Sequence, residues 1–273
     1  MTSASVEARH GATQGVLSLC FHQFRYDLLA FFRNGQSRFF TLALPVLFLV
    51  IFGSVFGRSN HTVKISGGTI PASAYYVPGI MTLGIIAAAC VNLVISVVAQ
   101  RETGVLKRRR ATPVPATALI SGRSLTSVVV ALFTTAILLV FGWIFFNAHV
   151  PSRSGLALLV TVIVGTVSFG CMGYALASVI RNQDAAQPVT QAVMLPLYFI
   201  SGVFVAVTTL PHWLVDIADV FPVRHLAAAL LAAYNPHSTG AGFAGWDLLI
   251  VTSWGVAGLV IALKRFSWLP QGR

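Results

Sequence analysis

Nineteen consecutive residues, Phe39–Gly57, carry no charged side chain. At ~1.5 Å rise per residue, a helix of that length crosses the ~30 Å hydrocarbon core of a bilayer. The feature recurs along the chain. Apolar runs cover about 75–99, 120–146, 156–180, 189–209 and 246–263, so the sequence predicts six transmembrane helices. Hydrophobic residues make up 56% of the 273 positions, and Asp, Glu, Lys and Arg only 9%. That balance is foreign to water-soluble domains and ordinary for a polytopic membrane protein. Pro45 inside the first run and Pro78-Gly79 near the start of the second are compatible with this reading, because membrane helices tolerate such breaks. The expected fold is an all-α membrane protein.

The segments between the runs give its orientation. Between the second and third lies Gln100-Arg-Glu-Thr-Gly-Val-Leu-Lys-Arg-Arg-Arg-Ala-Thr-Pro-Val-Pro115, with five basic residues and one acid, Glu102. A charge at the bilayer centre costs several kcal/mol, so this loop faces water. With the N-terminus inside, the inner segments hold fourteen of the 18 Lys and Arg residues, and the outer ones hold Arg58, Lys64, Arg153 and Arg224. That bias places both termini (1–38 and 266–273) and the basic loop in the cytoplasm. The net charge of +11 would suggest nucleic acid in a soluble protein. Here the basic residues sit between apolar runs and fix topology, so no nucleic-acid partner is expected; membrane lipids are.

Three segments do not span. Residues 1–13 read as a mobile tail, with no apolar core or cleavage site that would mark a cleaved signal peptide. Over 14–34, Leu17, Phe21, Phe24, Leu28 and Phe31 fall on one helical face, with Ser18, His22, Arg25 and Arg33 on the other. That pattern predicts an amphipathic interfacial helix, and it equally fits a helix docked on a partner protein. Residues 58–74 read as a polar loop. The stretch 211–235 contains Pro211 and Pro222, yet Leu226–Ala233 is apolar. It is too short to cross and too apolar for an open loop, which predicts a re-entrant hairpin before the last span. Its His212, Asp216, Asp219 and His225 read as a polar outer rim rather than a metal or catalytic site. Cys20, Cys90 and Cys171 are far apart and form no disulfide framework or zinc site.

Chemistry is sparse. The chain has no phosphate-cradling G-x-x-x-x-G-K-[ST] loop, no H-E-x-x-H and no G-x-S-x-G. None of its seven acids falls in the middle of a predicted span, where ion-coupled carriers place ionisable groups. Uphill movement would draw its energy from another polypeptide. The basic loop can receive it: 91–110 can continue the second span as a helix beyond the bilayer, and Thr112-Pro-Val-Pro115 then breaks it. Charge alone equally fits an anchor on anionic head groups.

The same loop resembles the "E-x-G-T-L-K-R-L-R-A-T-P" stretch of integral-membrane permeases from type II ABC exporters, including those of the daunorubicin-resistance type. Tyr76-Val-Pro-Gly-Ile80 resembles their "Y-x-x-P-G", and Leu195-Pro-Leu-Tyr-Phe-Ile-Ser-Gly-Val-Phe204 with Leu210-Pro-His-Trp-Leu214 and Phe221-Pro222 resembles their end region. The resemblance implies an exporter permease moving a lipophilic drug, lipid or glycolipid across the plasma membrane, as in multidrug efflux and antibiotic resistance. It implies a separate ABC ATP-binding subunit, which binds ATP and Mg while this chain holds no cofactor. Two permeases, as a homodimer or heterodimer, would pair with two ATPases. Residues 14–34 would be the connecting helix, 100–116 the coupling loop and 211–235 a hairpin capping the pathway. Arg101, Glu102, Gly104, Leu106, Lys107, Arg108, Arg109 and Arg110 would form the ATPase-coupling site, with Arg101 and Glu102 as its first contact pair. Asn92, Phe199, Ser201 and Phe204 are the candidates for the pathway, from faces of the second and fifth spans. After Phe221-Pro222 the chain reads Val223-Arg-His-Leu-Ala-Ala-Ala229 where many relatives carry "T-Y… D-A-L-R", so no role attached to that acid and arginine transfers. A channel or scaffold without an ATPase is the alternative.

Overall fold

The computed structural model describes residues 16–57, 62–65, 68–110, 116–146, 154–235 and 240–265. Helix α1 (Val16–Arg33) comes first. A short helix α2 (Gly35–Arg38), a π turn (Phe39–Ala43) and α3 (Leu44–Gly57) then form one continuous run. A second run joins α4 (Ala72–Ile86), a π turn (Ala87–Val91) and α5 (Asn92–Glu102). The remaining helices are α6 (Val105–Arg110), α7 (Ala116–Phe146), α8 (Gly155–Val179), α9 (Gln183–Ile200), α10 (His212–Ala218), α11 (Pro222–Tyr234) and α12 (Gly245–Arg265).

Five runs among the described residues are long and apolar enough to cross a membrane: Gly35–Phe56, Tyr75–Glu102, Ile120–Phe146, Gly155–Val179 and Gly245–Arg265. The second is the central post. Its most apolar stretch is 78% buried against 22% for the first and last, so the other helices pack around it and present their outer faces to lipid. Val77, Ile80, Met81, Ile86, Ala89, Val94 and Val98 make its fully or nearly fully buried spine. On the far side α12 lies close against α8, with Gly255 over Ser168 and Gly258 over Met172. Small residues let membrane helices approach this closely, where dispersion rather than the hydrophobic effect holds them together.

The stretch expected as a single span over 189–209 differs. Helix α9 begins at Gln183, carries Pro188 and Pro196, and stops at Ile200. The chain then turns through Gly202 (φ +85°) and reaches a 3₁₀ turn at Val207–Thr209. Ser201, Gly202, Val203 and Phe204 are buried although they are not helical. An apolar run reports burial, not helicity, so the run over 189–209 continues beyond the helix that stops at Ile200.

Residues 58–74 also depart from the predicted loop. Within them β1 (Thr62–Ile65) and β2 (Gly68–Pro71) pair antiparallel, Val63 opposite Ile70 and Lys64 opposite Thr69. β-branched side chains favour this pairing, and Ile70 seats against the Tyr75–Tyr76 cluster. The 211–235 segment folds as two short helices. Trp213 and Ile217 on α10 are exposed, whereas α11 buries Val223, Leu226, Ala229, Leu230 and Ala233 completely. Helix α1 packs along α7, where the Thr126 hydroxyl donates to the Phe24 carbonyl. Leu28 and Phe31 turn toward the core, while Phe21, Tyr26, Leu29 and Phe32 stay exposed.

Hydrogen bonds identify two ends. Arg101, Arg123, Gln183 and Gln36 gather at one, the basic end. Tyr75, Gly202, His225 and Asp247 lie at the other, the hairpin end. There the His225 Nδ1 lies 2.7 Å from Asp247 Oδ1 and its Nε2 2.8 Å from the Asp219 carbonyl. Arg224 pairs with the Asp219 carboxylate at 2.7 Å. His212 and Asp216, grouped with these residues from the sequence, are exposed.

Candidate functional site

A cavity of about 550 Å³ lies between the first helical run, the central post and α9. Its two ends differ in chemistry. Toward the basic end the walls carry carboxamides: Asn34, Gln36, Asn92, Gln100, Gln183 and Gln187. Toward the hairpin end they are aromatic, with Phe48, Phe52, Tyr198, Phe199 and Phe204. No Lys, Arg, Asp or Glu lines it among the described residues. Helix α9 contributes one stripe to this wall, Gln183, Gln187, Gln191, Leu195 and Phe199, each four residues after the last. That spacing keeps a single helical face on the cavity.

Both π turns stand on the wall. Phe40 and Thr41 come from the first, Ala87 and Val91 from the second, and the Asn92 amide donates to the Thr41 hydroxyl between the two helical runs. Pro45 follows the first turn and has no N–H to continue the ladder, a local reason for the irregularity. Single π turns inside membrane helices are common at functional sites because they widen the helix and re-aim side chains. Of the pathway candidates, Asn92, Phe199 and Phe204 line the cavity. Ser201 does not. It is 1% exposed, and its hydroxyl has no hydrogen-bond partner among the described residues.

The aromatic end is built where two sequence motifs meet. A Cβ on Gly79 would sit 2.8 Å from the Val203 carbonyl oxygen, so α4 can approach the 201–206 segment only with glycine there. The Tyr75 hydroxyl donates to the Gly202 carbonyl at 3.2 Å, and the Gly202 turn needs a positive φ. Tyr75, one residue ahead of the Tyr76 of the sequence motif, is the tyrosine that bonds, so Tyr75–Gly79 and Ser201–Phe204 are two halves of one joint. It delivers Phe204 into a cluster with Phe48, Phe52 and Phe199, ring centroids 5.2–5.5 Å apart from its own.

At the basic end the coupling candidates divide into two groups. Arg101 is fully buried. Its Nη1 donates to the Ala177 carbonyl at 3.0 Å, and its Nη2 donates to the carbonyls of Ile180 and, at 3.3 Å, Arg181. The Glu102 Oε2 accepts the backbone N–H of Gln183 at 2.9 Å. Thr103 and Gly104 (φ +71°) make the turn into α6, where Leu106 is buried and Arg108 is exposed with a bond to the Thr103 carbonyl at 3.4 Å. The side chains of Lys107, Arg109 and Arg110, and all of 111–115, lie outside the described residues.

Several wall residues carried no legible signal. Thr41 and the α9 glutamines look like ordinary polar residues in or beside an apolar run. Arg123 was counted only for topology, yet its guanidinium donates to Ser96 Oγ at 2.6 Å and Gln100 Oε1 at 3.4 Å. With Asp27 it lines a second, smaller cavity of about 260 Å³ beside the first. The two share Asn34, Ser37, Asn92, Ser96 and Gln100.

Comparison with known proteins agrees with this architecture. The family model described as ABC-2 type transporter matches residues 19–235. The daunorubicin resistance ABC transporter permease protein DrrB1 of Streptomyces coeruleorubidus is 30% identical over 212 residues, covering 76% of this chain and 70% of that protein. A protein of Escherichia coli named "Probable multidrug ABC transporter permease YbhR" is 25% identical over 163 residues, 58% of this chain and 44% of its own length. The matched region includes most of α1, the central post, the basic corner, the cavity and the Gly79–Val203 joint, and the chain belongs to the ABC-2 type transporter family of multi-pass membrane proteins.

Proposed function

We propose that this chain is the permease subunit of an ATP-driven exporter and that the 550 Å³ cavity is part of the cargo route. The observation that carries this reading is the graded lining. Carboxamides at the basic end can pair with a polar head group, and the aromatic end can hold an apolar body. A lipophilic drug, lipid or glycolipid has that form. The relatives named as a daunorubicin resistance permease and a probable multidrug permease support the same cargo class.

The energy comes from a separate ABC ATP-binding subunit, which binds ATP and Mg. Two permeases, identical or related, assemble with two such subunits in the plasma membrane. The basic end, with its exposed Arg108, faces the cytoplasm, in keeping with the inner excess of Lys and Arg. Both termini are cytoplasmic. Six crossings follow if α9 and the 201–209 segment, buried over 201–204, together make the fifth. Helix α1 then lies at the inner interface as the connecting helix, α6 is the coupling helix, and α10–α11 re-enter from the outside. Asn92, Phe199 and Phe204 touch cargo, and Ser201 supports the turn behind them.

The test is affinity purification from the native host, then reconstitution in proteoliposomes. An ABC-type ATP-binding protein is expected to co-purify, and the pair should move lipophilic fluorophores only with ATP. Recovery of the chain alone, with ion conductance in planar bilayers, would replace this reading with the channel alternative.

A further inference from the structure

Arg101 and Glu102 stand next to each other at the last turn of α5, and together they hold both sides of one corner. The connection 180–182 between α8 and α9 leaves orphaned carbonyls at the end of α8 and orphaned N–H groups at the start of α9. Arg101 donates to the carbonyls of Ala177, Ile180 and Arg181 on the first side. Glu102 accepts from Gln183 on the second, one residue beyond Asn182, whose side chain accepts from the Ala185 N–H. Each charge has the sign that the helix dipole favours at its site, a cation at a C-terminus and an anion at an N-terminus. Hydrogen bonds to charged groups are roughly twice as strong as neutral ones, so the corner is held firmly.

What lies on either side gives the corner a direction. Upstream of it in the path of force, α6 follows Glu102 after only Thr103 and Gly104, and Thr103 is tied back to the Ala99 carbonyl at 2.9 Å. Downstream, Gln183 is both the residue Glu102 grips and the first of the α9 stripe along the cavity. A displacement of α6 therefore reaches the cavity wall through Glu102 without passing through the bilayer-spanning length of α5.

We propose that Arg101 and Glu102 are positioning residues that transmit motion of α6 to α9, and that neither meets the ATP-binding partner directly. The inference rests on the exporter reading above and reassigns the pair that the family resemblance offers as a first ATPase contact: the Arg101 guanidinium is fully buried, and the half-buried Glu102 carboxylate is turned onto the Gln183 N–H.

The test uses the complex of this chain with its ATP-binding subunit in proteoliposomes and compares Glu102→Ala with Glu102→Gln. Three quantities are read for each: partner recovered on purification, ATP hydrolysed, and fluorophore transported per ATP. Glu102→Ala should keep partner recovery and hydrolysis, while transport per ATP falls about tenfold, within the usual range of coupling between sites. Glu102→Gln keeps an acceptor for the Gln183 N–H and should lose less than about threefold, since only the charge assistance is gone. Wild-type transport by Glu102→Ala would overturn the proposal. So would loss of the partner from that variant, which would mark a surface contact, or a Gln variant as poor as the Ala one, which would mark a need for the charge itself. A wild-type complex that hydrolyses ATP without transport would overturn the exporter reading and this inference with it.

Discussion

Gly79→Ala tests the joint on which the aromatic end of the cavity is built. The added Cβ would lie 2.8 Å from the Val203 carbonyl oxygen and 3.4 Å from the Val203 Cα. Both are backbone atoms, so no side chain can swing aside, and α4 must move from the 201–206 segment. Overpacking of this kind costs about 1–3 kcal/mol. A separation of α4 from this segment also stretches the Tyr75–Gly202 hydrogen bond, which adds about 0.5–1.5 kcal/mol if it breaks. The sum is roughly 1.5–4.5 kcal/mol. At ~2–4 °C per kcal/mol for a chain of this size, the unfolding midpoint should fall by several degrees. Gly155→Ala is the control, since a Cβ there meets nothing within 4 Å and alanine favours the first turn of α8. Thermal unfolding of both purified variants in one detergent, followed by tryptophan fluorescence, makes the comparison. Equal midpoints for the two variants would refute the claim that α4 and Val203 are in unyielding contact.

Two other substitutions test the hairpin end and the cavity. His225→Ala removes the imidazole that links α11 to Asp247 on α12 and to the Asp219 carbonyl, and should destabilise the protein by about 1–3 kcal/mol in the same unfolding assay. An unchanged midpoint would show that the link carries no net stability. Asn92→Ala and Phe199→Ala each trim the cavity wall and should shift the ranking of fluorophores transported while leaving protein level unchanged. An unaltered ranking in both would take these residues off the route.

The parts of the fold that were legible in the sequence are those the bilayer dictates. Lipid offers no hydrogen bonds, so the apolar runs at 39–57, 75–99, 120–146, 156–180 and 246–263 had to be helices. The fifth run is not one helix to its end: Val203 is apolar because it packs on Gly79, and Phe204 because it joins the aromatic cluster. The β1–β2 hairpin was hidden because four-residue strands among Gly and Ser have the composition of a loop. At the site, the position of the basic corner followed from its charges, but not the direction of each side chain. Arg101 and Arg181 are 80 residues apart, and only the approach of α8 to α5 brings them together and turns Arg101 inward. Thr41 in the first π turn meets Asn92, just after the second and 51 residues away, a contact that no local pattern records.

If cargo crosses the 550 Å³ cavity, filling that space blocks transport. Gln191 lies midway along the α9 stripe, and Gln191→Trp would place an indole in the space that cargo must cross. The measurement is ATP-dependent fluorophore transport by the reconstituted complex, with recovery of the ATP-binding partner as the control for assembly. Gln191→Trp should transport near background with the partner retained, and the conservative Gln191→Asn near the wild-type level. Undiminished transport by Gln191→Trp would mean that cargo crosses somewhere else.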